Sequence, residues 1–195
     1  MNSISLRRVL AASAVVLALG AAAGAAQAQM GSAMSGDPMV GGAAMYPQRD
    51  IIQNAVNSKD HTTLVAAVKA AGLVATLETP GPFTVFAPTN EAFAKLPAGT
   101  VDTLLKPENK GQLTTVLTYH VVPGRLTAAD LLQQVRDGGG KAMLKTVQGE
   151  DLTVTASGNM ITLTDAKGRE AHVTIGDVMQ SNGVIHVVDT VLLPA

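Results

Sequence analysis

The 195-residue chain has no cysteine and no tryptophan, and aromatic residues make up 3 % of it. Without cysteine there are no disulfides, no thiolate chemistry, and no Cys-based zinc or iron–sulfur site. Lipid attachment of the bacterial kind, which needs a cysteine after the leader, is excluded as well. Scarce aromatics leave few rings on which bases can stack, and the basic residues form no stripe, so nucleic acid is not an expected partner. Long apolar runs are also missing, with one exception at the start of the chain.

That exception reads as a leader. Arg7 and Arg8 form a basic start, and the 18 residues from Val9 to Ala26 carry no charge. Ala26-Gln27-Ala28 then offers small residues at the positions a signal peptidase reads, so residues 1–28 are expected to be cleaved before Gln29. The run touches the lower length limit for a membrane span, but it is rich in Ala and Gly and meets a cleavage site at once. Removing the first 28 of 195 residues leaves 167, enough for one packed core. Twelve basic and 15 acidic residues remain, a net charge of −3. The expected location is secreted or periplasmic, with no membrane-spanning segment after cleavage.

Residues 29–48 are filled by Gly, Ala, Ser, Pro and Met, with one charge and no helical or strand period. They predict a flexible tether, because they bury too little to offset the entropy of ordering. Met30, Met34, Met39 and Met45 raise the idea of a Cu(I) site, since thioethers are soft ligands. No His or Cys reinforces the cluster, so a plain linker is the expectation.

The folded part is expected from residue 49 to residue 195. Asp50 can cap a helix bearing Ile51, Ile52, Ala55 and Val56. Leu64, Val65, Val68 and Ala71 repeat at helical spacing, with Gly72 as the stop. Phe83–Ala87 reads as a strand ended by Pro88, and Thr89 can cap the helix carrying Phe93. Leu113, Val116, Leu117 and His120 mark another helix. Thr127 and Asp130 form a capping box before Leu131 and Val135. After Gly138-Gly139-Gly140 the period changes to two. Residues 142–147, 151–156, 160–164 and 171–175 predict strands. Asn182-Gly183 predicts a tight hairpin turn into Val184–Val188, a strand apolar on both faces and therefore central. The layout is α+β: helices first, then a mostly antiparallel meander.

Catalytic motifs are not found. There is no Gly-x-Ser-x-Gly elbow, and the glycine triplet lacks a Gly-Lys-Ser/Thr ending. Ser181, His186 and Asp189 cannot converge from one strand, where Asp189 points opposite to His186. The four histidines, His61, His120, His172 and His186, show no zinc-binding spacing, and no metal or cofactor is expected. His120 and His186 lie on apolar faces and are expected to be hydrogen-bonded core residues.

Three stretches share one order and spacing. They are Phe83-Thr-Val-Phe-Ala-Pro-Thr-Asn-Glu-Ala-Phe93, Leu117-Thr-Tyr-His-Val-Val-Pro-Gly124 and Asn182-Gly-Val-Ile-His-Val-Val-Asp189 continuing to Pro194. Together they resemble the fasciclin domain, an extracellular adhesion module, over residues 49–195. Motif positions by this resemblance are Phe86, Pro88, Thr89, Asn90, Phe93, Asn182, Gly183, His186 and Asp189. The family usually has Asp where Asn90 stands. The resemblance implies a β-sandwich or wedge flanked by short helices, no enzymatic activity, and contact with a protein or glycan at a cell surface or matrix. It implies binding through Leu117, Tyr119, His120, Val121 and Val122, since the Tyr-His segment of animal members has been linked to receptor binding. An alternative is carriage of an apolar small molecule, a lipid or carotenoid, between helices and sheet; that would require an apolar pocket.

Overall fold

A computed structural model describes residues 37–195. The expected leader, residues 1–28, and residues 29–36 of the expected tether lie outside the described residues. The rest of the expected tether is built into the fold. Residues Met39–Val40 (β1) and Ala43–Ala44 (β2) form a small antiparallel hairpin. Val40 and Met45 are buried in the same core as the helices, and Lys59 N donates to Gly41 O at 3.2 Å. The expectation of a loose tether is therefore corrected for 37–48. Two buried apolar side chains are enough to dock a segment that shows no periodicity of its own.

The predicted helices form where their caps stand. Asp50 accepts from Gln53 N at 2.7 Å and opens Ile51–Ala55 (α1). Thr62–Ala71 (α2) stops at Gly72, whose φ of 73° is left-handed. Val74–Leu77 (α3) and, further along, Thr100–Leu104 (α5) are single turns that sequence periodicity did not resolve. Phe83–Pro88 (β3) leads into Asn90–Ala94 (α4), capped by Thr89 Oγ1 on Ala92 N at 3.2 Å. Lys110–Tyr119 (α6) runs into the short strand Val121–Pro123 (β4). The full Thr127–Asp130 capping box opens Ala128–Asp137 (α7).

The strands that follow are Lys141–Lys145 (β5), Asp151–Ser157 (β6), Met160–Thr164 (β7), Glu170–Gln180 (β8) and Gly183–Val188 (β9). They complete one sheet of order β4-β3-β9-β8-β7-β6-β5, antiparallel throughout except for β3 with β9. β8 is twice the predicted length. Its first residues pair with β7, and the remainder pairs with β9 across two irregularities between Val173 and Val178. The fold is α+β, as expected, with a large, mostly antiparallel sheet and several short helices, and β8 joins its two halves. The sheet curls until its ends meet, with Val147 N, just past β5, donating to Val121 O of β4 at 2.7 Å.

Alternation on β3 and β9 divides the interior in two. Val85, Ala87, Ile185 and Val187 face a core built with α1, α2, α4 and α6. Phe86 and Val188 face a second core, shared with Tyr119, Leu131 of α7 and the inward residues of β5–β7. All six residues of β9 are buried, so this strand is central, as its two apolar faces predicted.

Candidate functional site

The Tyr-His segment sits where α6 passes into β4, between the two cores. All five residues expected to meet a partner, Leu117, Tyr119, His120, Val121 and Val122, are buried, with exposures of 0–6 %. Tyr119 is fully enclosed. Its hydroxyl donates to Asp151 O and accepts from Ala166 N, both at 3.2 Å. Burial raises its pKa further, so it is neutral across the physiological range. His120 Nδ1 donates to Val116 O at 2.8 Å, and its Nε2 accepts from Leu192 N at 3.0 Å. Burial pulls its pKa down to about 4, which keeps the imidazole neutral in this network. The expectation of surface contact through these side chains is corrected in this respect: they face inward, because α6 and β4 turn their apolar sides to the two cores.

His186 behaves as its strand position predicts. It is fully buried and stacks on Phe86, with ring centroids 5.7 Å apart. Its Nε2 donates to Leu126 O at 2.8 Å, and its Nδ1 accepts from Asp177 N at 3.3 Å. It thus ties β9 to the start of α7 and to the irregular stretch of β8. Burial lowers its pKa. His172 pairs with Thr162 Oγ1 at 3.0 Å on the partly open face of β7–β8.

The remaining motif residues are joints. Asn90 Oδ1 accepts from Thr63 N at 3.0 Å and Thr62 Oγ1 at 3.1 Å, while its amide donates to Lys59 O at 2.8 Å. An amide supplies both donor and acceptor here, and a carboxylate would lack the donor. Asp189 accepts from His172 N at 2.9 Å and Thr190 Oγ1 at 3.0 Å, with Lys95 Nζ 3.6 Å away. Burial raises its pKa, but these donors and charges outweigh that and the net shift is downward. Pro88 ends β3 beside Val188, and Phe93 packs into the helical core.

Asn182 and Gly183 do not form the predicted turn. The two-residue loop is Ser181-Asn182, with Gln180 paired to Gly183, and neither Asn182 nor Gly183 has positive φ. Asn182 is instead a buried three-way joint. Its Oδ1 accepts from Ile51 N at 3.1 Å, and its Nδ2 donates to Leu77 O at 2.6 Å and Thr79 O at 3.2 Å. Gly183 is required by close approach, since a Cβ there would collide with Phe83 O of the parallel strand.

Two features had no sequence signal. His61 is buried, its Nδ1 2.9 Å from Ser58 Oγ, while its Nε2 has no hydrogen-bond partner among the described residues. Asp165, buried in the β7–β8 turn, accepts from Lys167 N, Arg169 N and Leu193 N at 2.9 Å and from Arg169 Nε at 3.1 Å. A lone Asp before Lys-Gly reads as an ordinary turn residue.

The apolar cavity between α1, α2, α3, β3 and α6 is about 60 Å³. Sites for drug-sized ligands run to roughly 300–1,000 Å³, so this one does not support carriage of a lipid or carotenoid. Among the described residues, no group of three His, Cys, Asp or Glu is placed to hold a metal ion, and no helix is long and apolar enough to cross a membrane.

The geometry agrees with what similarity to known proteins shows. A family model for the fasciclin domain matches residues 59–194. The chain belongs to the fasciclin domain family. Protein sll1483 of Synechocystis sp. is 49 % identical over 156 residues, covering 80 % of this chain and 79 % of that protein. Immunogenic protein MPB70 of Mycobacterium bovis is 39 % identical, covering 72 % of this chain and 66 % of its own length. Transforming growth factor-beta-induced protein ig-h3 of Sus scrofa is 40 % identical, covering 67 % of this chain but 17 % of that much longer protein. Among solved structures, the fasciclin domain pair of the insect cell adhesion molecule Fasciclin I matches with a TM-score of 0.66 at 20 % identity, over 74 % of this chain and 51 % of that one. The fasciclin motifs of this chain are thus largely internal joints.

Proposed function

We propose that this fasciclin domain is an exported, non-catalytic binding module that mediates adhesion at a cell surface or matrix. The observation that carries the reading is the family match over residues 59–194. The similarity to a protein described as an insect cell adhesion molecule supports it, as does that to a mycobacterial protein described as a cell surface glycolipoprotein. The chemistry of the interior is consistent with it. His120 and His186 each spend both ring nitrogens on backbone groups, which leaves them no lone pair or proton for a substrate. Contact with a protein or glycan then falls to exposed loops and strand faces, and the buried Tyr119-His120 pair supports them from below.

Export through residues 1–28 belongs to the same proposal. N-terminal sequencing of the extracytoplasmic fraction should begin at Gln29; an intact Met1 there would overturn the cleaved leader. For adhesion, beads coated with the mature protein should bind cell-envelope material above beads carrying a heat-unfolded sample. Equal binding by the two would sink the adhesive reading.

A further inference from the structure

One surface groove lies apart from the motif segments around Tyr119 and His186. It lies where three loops meet: residues 77–82 before β3, Gly124-Arg125 after β4, and the Ser181-Asn182 turn. Phe83 N donates to Asn182 O at 3.1 Å, and Gly124 N to Pro82 O at 2.9 Å. Thr84 Oγ1 donates to Gly124 O at 2.7 Å, and the Asn182 amide holds Leu77 O and Thr79 O. Gly81 is needed here, because a Cβ would collide with Asn182 O. The result is an open groove of about 370 Å³ whose lining includes Pro80, Pro82, Arg125 and Ser181 and no carboxylate.

Arg125 is the one cation of that lining. Its Nη2 donates to Gln180 O and Ser181 O, each at 3.3 Å. Both acceptors are neutral carbonyls, and among the described residues Arg125 belongs to no ion pair. A guanidinium held by backbone has already lost part of the rotamer freedom that binding would otherwise cost. Its planar fork matches a carboxylate in two parallel hydrogen bonds.

We propose that this groove captures a carboxylate of a partner polypeptide. Arg125 is the donor, and the rings of Pro80 and Pro82 pack against the residue beside the acid. The proposal rests on the binding-module reading and names the chemistry of its partner. An acidic polysaccharide fits less well: repeating anions are held by clusters of Lys and Arg, and this groove offers a single cation in a lining that also holds two proline rings.

The test is an NMR titration of the whole mature chain with acetyl-Glu-Pro-Glu-amide, acetyl-Gln-Pro-Gln-amide and a glucuronate tetramer. The Glu peptide should shift the amides of Gly81, Arg125 and Ser181 saturably, the Gln peptide should not, and the tetramer should bind more weakly. Arg125→Gln should lower affinity for the Glu peptide about tenfold or more, the loss expected for a hydrogen-bonded charge. Arg125→Lys, which keeps the charge and loses the fork, should fall between. Equal affinity of the two peptides, an unaffected Arg125→Gln, or tighter binding of the tetramer would each overturn the groove assignment. The bead assay separates the two readings. Full bead binding by Arg125→Gln sinks the groove alone, whereas no bead binding by a wild type that takes the peptide sinks the adhesive reading alone.

Discussion

At the scale of single residues, the buried histidines determine how this domain responds to substitution and to acid. His186 bridges Leu126 O and Asp177 N while stacking on Phe86. Replacing it with Ala orphans both backbone groups and opens a cavity, so His186→Ala should cost about 2–4 kcal/mol in urea unfolding. Full stability of that variant would contradict the bridging role. Acid should act in the same direction through three sites. His61, His120 and His186 all have folded pKa values below 6.5, each with burial as the largest cause. The unfolded chain therefore binds more protons than the folded one at mildly acidic pH, and stability rises with pH. The His120 contribution is fully present above about pH 6.5 and is lost as pH falls toward its folded value of about 4. A shift of that size corresponds to roughly 3 kcal/mol. Urea midpoints should drop steeply between pH 6.5 and 4, and His120→Gln should flatten the dependence. A flat profile in the wild type would refute the assignment.

At the scale of elements, caps and period changes made most helices and strands legible, because these signals are local. Asp50, Thr89 and Thr127 all cap where the sequence places them. The β1–β2 hairpin was illegible because its stability comes from Val40 and Met45 entering a core made by other elements. A chain beginning at Arg49 loses both, and burial of such side chains contributes about 1.5–3 kcal/mol each. Its melting temperature should fall by several degrees or more relative to the chain beginning at Gln29. Identical melts would return this segment to a mere tether. The Asn182-Gly183 hairpin was misplaced for a related reason. The dipeptide tolerates positive φ, but here the parallel β3 demands a missing Cβ and α1 demands an amide, and those non-local needs moved the turn by one residue.

At the scale of the whole molecule, the C-terminal segment closes the structure. Three side chains from distant elements hold it: His120 takes Leu192 N, Asp165 takes Leu193 N and Glu150 takes Ala195 N, at 2.9–3.0 Å. Asp165 is the central one, since it also orders its own turn and pairs with Arg169. Asp165→Asn replaces one acceptor oxygen by a donor facing N–H groups, and should cost about 1–3 kcal/mol, the penalty of leaving a buried donor unsatisfied. Hydrogen exchange at Leu192 and Leu193 should accelerate together in this variant. Exchange unchanged at both amides would show that the segment is held by its apolar side chains alone.

The sequence by itself determined the α+β class, the helix starts, the central position of β9 and the family, through three motifs in register. Each depends on local period, a local cap or a residue pattern carried in one dimension. It also marked Tyr119, His120, Asn182 and His186 as residues that matter. What they do was decided only by the tertiary structure. Their partners lie between 4 and 131 positions away in the chain, most of them on other elements, and hydrogen-bond partners at that separation leave no periodic trace. For the same reason the groove around Arg125 has no signature in sequence. It exists because β3, β4 and the β8–β9 turn end at one corner of a sheet curled on itself, where backbone carbonyls orient a guanidinium that in the linear chain is one arginine among several.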